Sequence, residues 1–480
     1  MNTRMIGFLL GRILMVEAGL LALPLLTALL YGESLMPWLA TMLVLAAIGW
    51  GLSLWKPERT ALYAKDGFAA VALVWLLMSA FGALPFVLSG DIPNYIDAFF
   101  ETVSGFTTTG ASILTAVEPL SRGGLLWRSF THWVGGMGVL VFMLIVLPLA
   151  GGQTIFLMRA ESPGPSVSKM SPRMRDTATI LYAIYFGLTV LQMILLLIGG
   201  MPLFDAICVS LGTAGTGGFG NWNDSIAHYN SAYLQNVITV FMILFGINFS
   251  AYFLILTRKF RQAFRIEEIR VYLGVIFVFA GLIAFNVRPM FGSLRESFHH
   301  ALFQVASIIT TTGFSTVDFD QWPTFSRALL VLLMFIGACA GSTGGGIKCS
   351  RILLLGKSVK KELMCLIHPR LVRVNKMDGQ RVPHEVMRSI NVFVVAYAFI
   401  FILSLLIISL NCEDLVTCFT SVATTLNNVG PGLSLCGPTC NFGFFPPLSK
   451  GVLIFDMLAG RLELFPMLLL FTPGTWQRNK

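Results

Sequence analysis

The chain has 480 residues, 55% of them hydrophobic and 12% charged, with a mean hydropathy of +0.77. Soluble domains carry about 25% charged residues, so the composition excludes a soluble globular protein and describes a polytopic membrane protein with room for roughly ten crossings. The formal net charge of +9 does not signal nucleic-acid binding. The positive residues fall between apolar segments, where they set topology.

The first apolar run, 5–31, is too long for the hydrophobic region of a signal peptide and has no small-residue cleavage site, so it reads as a retained span. Further spans are expected at 36–55, 67–88, 125–149, 177–199, 233–256, 271–291, 325–355, 390–410 and 451–471. Four shorter apolar stretches, 95–106, 203–211, 298–309 and 415–423, lie between full spans. None is long enough to cross about 30 Å of hydrocarbon as a helix.

Each short stretch runs into a Thr/Gly loop. The first is Thr107-Thr108-Thr109-Gly110 and the second Thr213-Ala214-Gly215-Thr216-Gly217. The third is Thr310-Thr311-Thr312-Gly313, and the fourth ends in Asn427-Asn428-Val429-Gly430. Irregular backbone is not tolerated against lipid, so these loops are expected to line a polar cavity inside the protein. Gly110, Gly217, Gly313 and Gly430 recur with a period of about 100 residues, which indicates parallel repeats about an axis along the membrane normal. The expected fold is an all-α polytopic membrane protein. Two N-terminal transmembrane helices (1–60) precede four pseudo-symmetric units of span, short helix, loop and span, at 61–158, 159–262, 263–376 and 377–480, around one central pore.

Orientation follows from Lys and Arg. Lys56, Arg59 and Lys65 follow the second span, and Arg159, Lys169, Arg173 and Arg175 the fourth. Arg258, Lys259, Arg261, Arg265 and Arg270 follow the sixth, and the basic stretch 348–388 follows the eighth. These alternate with segments holding Glu33, Asp91, Asp97, Glu118, Asp205, Asp224, Asp318, Asp320, Glu413 and Asp414. The positive-inside rule then puts both termini in the cytoplasm and opens all four Thr/Gly loops outward.

A dehydrated cation needs oxygen ligands, and backbone carbonyls pointed inward supply them. Glycine permits the unusual φ this demands. A short helix ending at the loop turns its partially negative C-terminus toward the same place. None of the four loops contains Lys or Arg, so the pattern favours cations over anions. In the eighth span, Gly337-Ala338-Cys339-Ala340-Gly341-Ser342-Thr343-Gly344-Gly345-Gly346 costs a helix roughly 1 kcal/mol per glycine relative to alanine, and an unwound segment is expected there. Close helix packing on small residues is the competing reading. A phosphate-binding loop is excluded by spacing, because Ile347 follows Gly346 and no strand precedes it.

Arg461 lies inside the last span, where a charge is expensive and faces a polar cavity. Glu101 reads as a buried hydrogen-bonding residue behind the first loop, and Asp456 and Glu463 as partners for polar groups. His132, His299 and His300 lie at span edges and read as interfacial. No Ser/His/Asp arrangement shares a site, so the chain does not read as an enzyme. The eight cysteines include no Cys-x-x-Cys pair and no histidine at ligand spacing, which argues against zinc. Cys412, Cys436 and Cys440 fall on the outer face, where an oxidising compartment permits one disulfide; free thiols are the alternative.

The segment running from Phe99-Phe100-Glu101 through Thr107-Thr108-Thr109-Gly110-Ala111 resembles the first pore loop of the Trk/Ktr/HKT superfamily of potassium transporters, as does His132-Trp133-Val134-Gly135-Gly136-Met137-Gly138. Gly341-Ser342-Thr343-Gly344-Gly345-Gly346-Ile347-Lys348, Leu426-Asn427-Asn428-Val429-Gly430-Pro431-Gly432 and Gly460-Arg461-Leu462-Glu463 resemble its TrkH/TrkG branch, the membrane subunit of bacterial Trk uptake systems. The two extra N-terminal spans fit that branch as well. The resemblance implies potassium uptake across the inner membrane through one filter. Its lining would be Thr108, Thr109, Gly110 and Ala111; Gly215, Thr216, Gly217 and Gly218; Thr311, Thr312, Gly313 and Phe314; Asn428, Val429, Gly430 and Pro431. It places an intramembrane gating loop at Gly337, Gly341, Gly344, Gly345 and Gly346, bordered by Lys348, with Arg461 as a positive barrier.

The resemblance also implies a homodimer and a cytosolic TrkA-type ring docked on 351–388. That partner would be the only source of nucleotide control (ATP/ADP or NAD(H)), since the chain carries no dinucleotide fingerprint and implies no cofactor of its own. Only the fourth loop has Val before its glycine, and the second has Gly215 where the others have Thr or Asn. This unevenness points to a filter looser than four identical subunits would make. The runner-up reading is a secondary transporter of another cation, using the broken helices for alternating access.

Overall fold

The computed structural model describes residues 2–55, 64–138, 174–370 and 374–476. The second half of the span expected at 125–149, the boundary expected at 158/159, and Lys56, Arg59, Arg159, Lys169 and Arg173 lie outside them. Apart from a two-stranded hairpin, in which Lys376–Met377 pairs antiparallel with Gln380–Arg381, the described regular structure is helical. Among the described residues, six helices are long and apolar enough to cross a membrane: Thr3–Tyr31, Met36–Ser53, Lys65–Ser89, Ala178–Ile198, Glu267–Met290 and His384–Ser409. The first two cross at glycines. A Cβ on Gly11 would lie 2.6 Å from the Gly49 carbonyl oxygen, and one on Gly49 would lie 2.7 Å from that of Gly11. Small residues at the crossing let two backbones pack where lipid offers no hydrophobic drive.

Of the remaining expected spans, those at 233–256, 325–355 and 451–471 are interrupted, and the helix in the described part of 125–149 ends early. Arg122–Gly136 ends at Met137, and Gly138 follows at φ 79°. Ala232–Phe245 and Phe249–Leu256 meet at a 92° bend. Thr324–Ile336 stops at Gly337, and the helix resumes only at Cys349–Ile367. Pro447–Arg461 is followed by Glu463 and Leu464 at φ 54° and 68° before Phe465–Leu470 begins. Of these, only the third break was expected from sequence. The bend after Phe245 has its own chemistry. The Asn248 side chain accepts from the Ser250 amide at 2.8 Å and so caps the new helix.

The four short helices are Tyr95–Phe106, Leu203–Gly215, Leu294–Ile309 and Leu415–Leu426, of 12, 13, 16 and 12 residues. Three start on a side-chain cap. Asn94 accepts from the Ile96 amide, Ser293 from the Glu296 amide, and Asp414 from the Val416 and Thr417 amides. The second starts after Pro202 with no side-chain cap. Asp97, Asp205 and Glu296 stand in first turns, where negative charge complements the helix dipole. Lys450, at the head of the last broken helix, donates to Asp97 at 2.5 Å and ties that helix to the first short helix.

Beside a large apolar core, large apolar residues are exposed and a set of polar ones is buried. Leu30, Phe285, Leu366 and Leu410 are exposed, whereas Thr107, Thr108, Thr109, Thr310, Thr311, Thr312, Asn427 and Asn428 are wholly buried. Apolar side chains face the lipid side, and the polar groups collect at the centre around the ends of the short helices.

Asp414 offers a direct check on the capping argument. Its hydrogen bond from the Thr417 hydroxyl, followed by those from Ser434 and the helix amides, holds its carboxyl down at about 2. A depressed folded-state pKa contributes stability above the unfolded carboxylate value, and that stability is lost as pH falls through the folded one. Asp414→Ala should therefore lower stability by about 1 kcal/mol near neutral pH. Thermal unfolding of purified protein should show the difference from wild type shrinking between pH about 4 and about 2.

Candidate functional site

All four short helices end the same way. The amides of Thr109, Gly217, Thr312 and Val429 reach back to the carbonyls of Ser104, Gly212, Ser307 and Thr424 at 2.9, 2.9, 2.8 and 2.8 Å. This six-to-one bond requires a left-handed residue just before it. That residue is Thr108, Thr216, Thr311 and Asn428, at φ 56°, 55°, 60° and 55°. A glycine at positive φ follows each bond: Gly110 (78°), Gly218 (80°), Gly313 (84°) and Gly430 (97°).

This geometry corrects the register of the second loop by one residue. Gly218, rather than Gly217, stands with the other three glycines. Gly215 is the last residue of its helix, so the four-residue stretch matching the other loops is Thr216, Gly217, Gly218 and Phe219. The short helix there runs to Gly215, beyond the stretch 203–211 expected from hydropathy, because the small residues after Leu211 continue the helix instead of breaking it.

The four glycines make a closed cycle. A Cβ on Gly110 would lie 1.9 Å from the carbonyl oxygen of Gly217, and one on Gly218 would lie 1.9 Å from that of Thr312. On Gly313 it would lie 2.4 Å from the Val429 oxygen, and on Gly430 2.8 Å from the Thr109 oxygen. Each glycine thus yields its side-chain space to a carbonyl of the next loop, in the order first, second, third, fourth and back to first. A cavity of ≈180 Å³ opens on this ring, and all four glycines line it, with Ala111 and Pro431.

The braces behind the ring differ between loops. In the first and third, hydroxyl pairs Thr107–Thr109 and Thr310–Thr312 hydrogen-bond at 2.8 and 2.7 Å. In the fourth, the Asn428 amide donates to the Thr109 hydroxyl and the Met457 carbonyl, both at 2.9 Å, and the Asn427 amide donates to the Tyr397 hydroxyl at 2.8 Å. Glu101 is buried and paired with Arg128 at 2.8 Å. Its carboxylate also accepts from the Ile113 amide and the Ser112 hydroxyl, while Arg128 donates to the Gly220 carbonyl. The pair ties the strands leaving the first two loops, the hydrogen-bonding place expected for Glu101.

The four helix breaks meet beneath the ring. Gly345 donates its amide to the Thr311 hydroxyl at 2.7 Å, and Cβ atoms on Gly344 and Gly345 would lie 2.9 Å from the Thr310 and 2.6 Å from the Asn427 carbonyl oxygens. The loop 337–348 therefore lies against the underside of the third and fourth loops. Its other side pairs with the bend of the sixth span. Cys339 donates to the Gly246 carbonyl at 3.1 Å, and Phe249 donates to the Gly341 carbonyl at 2.9 Å.

Arg461 joins the remaining breaks. It donates to the Thr343 carbonyl at 2.8 Å and to the Gly136 carbonyl at 2.9 Å, and it also reaches the Gly135 carbonyl. Lys348 folds back on the Gly344 carbonyl, and Glu463 pairs with Arg351. Gly337, Gly341 and Gly346 hold positive φ of 71°, 72° and 75° within the loop. Gly337, Gly341, Gly344, Gly345, Gly346, Lys348 and Arg461 all fall in this one junction.

Other sequence readings fare differently. His132 is wholly buried against the second loop and is not interfacial; Gly217 and Gly215, which carry no side chain, leave the room it occupies. His299 and His300 are half-buried and bond to Gln235 and Thr316. Asp456 accepts from Ser404 at 2.7 Å. The disulfide expected among Cys412, Cys436 and Cys440 is not formed, and all three are free thiols. Cys412 turns its thiol to the Asp414 carbonyl, and Cys418 turns its own to the Cys412 carbonyl.

Known proteins share this sequence and fold. Residues 37–477 match the family model TrkH, described as cation transport protein. The Trk system potassium uptake protein TrkH of Salmonella typhimurium is 39% identical, covering 99% of this chain and 100% of that protein. The Trk system potassium uptake protein TrkG of Escherichia coli is 34% identical over 95% of this chain and 94% of its own length. The crystal structure of the potassium transporter TrkH from Vibrio parahaemolyticus superposes with a TM-score of 0.90 at 34% identity, covering 99% of this chain and 100% of that one. The chain belongs to the TrkH family of cation transport proteins, and is a multi-pass membrane transporter and not an enzyme.

Proposed function

We propose that the chain takes up potassium across a bacterial inner membrane through a single pore formed by four pseudo-symmetric repeats. The carbonyls of the four Thr/Gly loops would serve as its selectivity filter. The observation that carries this reading is the closed cycle in which Gly110, Gly218, Gly313 and Gly430 each pack on a carbonyl of the adjacent loop. Such a ring replaces the water of a dehydrating cation with fixed oxygens. The C-terminal ends of the four short helices add partial negative charge at the same level, and no Lys or Arg stands in the loops to oppose it. The relatives' names, potassium uptake proteins, support potassium as the cation. In the corrected register the carbonyls come from Thr109, Gly217, Thr312 and Val429. The ligand is backbone in every loop, so the uneven side chains act on the stiffness of the ring and not on the number of ligands.

The loop 337–348 is the proposed gate. It closes the ring from below, and Lys348 and Arg461 put two positive charges on the path of a cation leaving it. Both termini and the basic segment 351–388 would face the cytosol. That segment would dock a nucleotide-binding regulatory ring, in keeping with relatives named as parts of a Trk system. Two copies of the chain would pair, each with its own pore.

Gly313→Ser places a side chain at a positive φ and against the Val429 carbonyl. It should reduce discrimination of K⁺ over Na⁺ by roughly tenfold, the equivalent of about 1.4 kcal/mol, measured as competing fluxes into proteoliposomes. Unchanged discrimination would sink the filter assignment. Arg461→Gln removes a cation and weakens the tie between Thr343 and Gly136. It should raise Rb⁺ flux severalfold in proteoliposomes lacking any cytosolic partner, and flux at the wild-type level would count against the gate.

A further inference from the structure

The second loop lacks the braces its neighbours have. The residues matching Thr107 and Thr109 of the first loop, and Thr310 and Thr312 of the third, are Gly215 and Gly217. Neither has a hydroxyl to close the turn. The space is filled by another element. The imidazole of His132, from the helix Arg122–Gly136, lies where side chains of the second loop would be. A Cβ on Gly217 would fall 2.2 Å from its Cγ and 2.3 Å from its Nδ1, and one on Gly215 would fall 2.2 Å from the His132 carbonyl oxygen.

Both ring nitrogens are used. Nδ1 lies 2.7 Å from the Gly105 carbonyl, and Nε2 lies 3.2 Å from the Phe219 amide. A carbonyl only accepts and an amide N–H only donates, so Nδ1 carries the proton and Nε2 accepts. The ring is thereby fixed as one neutral tautomer, and it links the end of the first short helix to the residue after Gly218. Phe219 is gripped from two sides, with the His132 ring centroid 4.3 Å from its own and the Arg128 guanidinium carbon 4.1 Å from it.

We propose that His132 is a positioning residue of the filter, standing in for the two threonines missing from the second loop and setting where the carbonyl of Gly217 points. The inference rests on the filter reading given above. It accounts for how a loop with three glycines in four positions, Gly215 to Gly218, holds the same backbone course as loops stiffened by threonine pairs. A glycine-rich turn pays the largest conformational entropy on ordering, and a rigid aromatic ring bonded at both nitrogens supplies the constraint from outside the loop.

The test is a steric swap. His132→Ala should lower K⁺ over Na⁺ discrimination by roughly tenfold and raise the apparent KM for K⁺, in protein that still elutes as the wild type does. Gly217→Thr alone should be equally impaired, because its side chain meets the imidazole. The double variant His132→Ala/Gly217→Thr, in which a loop threonine replaces the ring, should regain most of the lost discrimination. A purely structural role predicts that the double variant is the worst of the three, and that result would overturn the proposal. So would a folded His132→Ala that discriminates as well as the parent. If His132→Ala fails to fold, the double variant decides alone. Gly313→Ser, run alongside, separates the two ideas. If it leaves discrimination intact, the filter reading falls; if it abolishes discrimination while His132→Ala does not, only the role of His132 falls.

Discussion

Everything in this structure follows from the cost of an unpaired backbone amide or carbonyl inside a membrane, several kcal/mol each. A helix pays that cost internally, so ten uninterrupted helices would be the cheap solution for this chain. The protein instead breaks several of them and adds four short helices that do not cross. It remains stable because each break is satisfied by another. Gly246 and Gly341 exchange bonds with Cys339 and Phe249, the Phe245 carbonyl accepts from the Thr343 hydroxyl, and the carbonyls left open at Gly135 and Gly136 are taken by Arg461. The polar interior is therefore one connected object, and no single break could exist without the others.

The loop ring adds a second cost. Thr108, Thr216 and Thr311 are held in the left-handed region, which disfavours residues with a Cβ by about 1–2 kcal/mol; only Asn428 is a residue type that visits it readily. The expense is offset by the six-to-one bond each makes possible and, in the first and third loops, by the hydroxyl pairs behind it. It also has a geometric result. The turn hands the chain to a glycine whose missing side chain admits the neighbouring carbonyl, so the four loops can stand closer together than any sequence with Cβ atoms at those positions allows.

How much of this could be read from sequence divides along physical lines. Helix-length hydropathy, the short stretches and the recurrence of threonine and glycine are local properties, and they were legible, as was the break at Gly337. The register of the second loop was not. Thr213-Ala214-Gly215-Thr216-Gly217-Gly218 offers three glycines, and which one ends in the ring depends on a bond from Gly217 back to Gly212. The break after Arg461 was equally hidden, since Leu462, Glu463 and Leu464 include no glycine; Leu464 turns back because its amide finds the Ala459 carbonyl at 2.7 Å. The bend at Asn248 rests on a polar cap within an apolar run, a signal that the sequence does carry. His132 stands in a motif that carries the resemblance, but nothing local marks its packing against Gly215 and Gly217, which depends on the side chains those two glycines lack.

As the proposed gate, the loop 337–348 is held by contacts few enough that a regulator acting from outside the membrane would have leverage over it. Its six positions from Gly341 to Gly346 include four glycines, so few side chains lock it in place. What holds it against the ring is a small set of bonds, chiefly Gly345 to the Thr311 hydroxyl, the Thr343 hydroxyl to the Phe245 carbonyl, and Arg461 to the Thr343 carbonyl. Neutral bonds contribute about 1 kcal/mol net and charged ones about 1.5–3, so the total is of the order of the 5.5 kcal/mol needed to carry a two-state element from almost always closed to almost always open. The helix Cys349–Ile367 leaves this loop directly, and Arg351 in its first turn is paired with Glu463 at the last break. A partner that shifts the basic segment beyond that helix pulls on the loop and on the break after Arg461 together. In the proposed mechanism, a gate held by bonds of this number would be stable at rest and still within reach of one docking event.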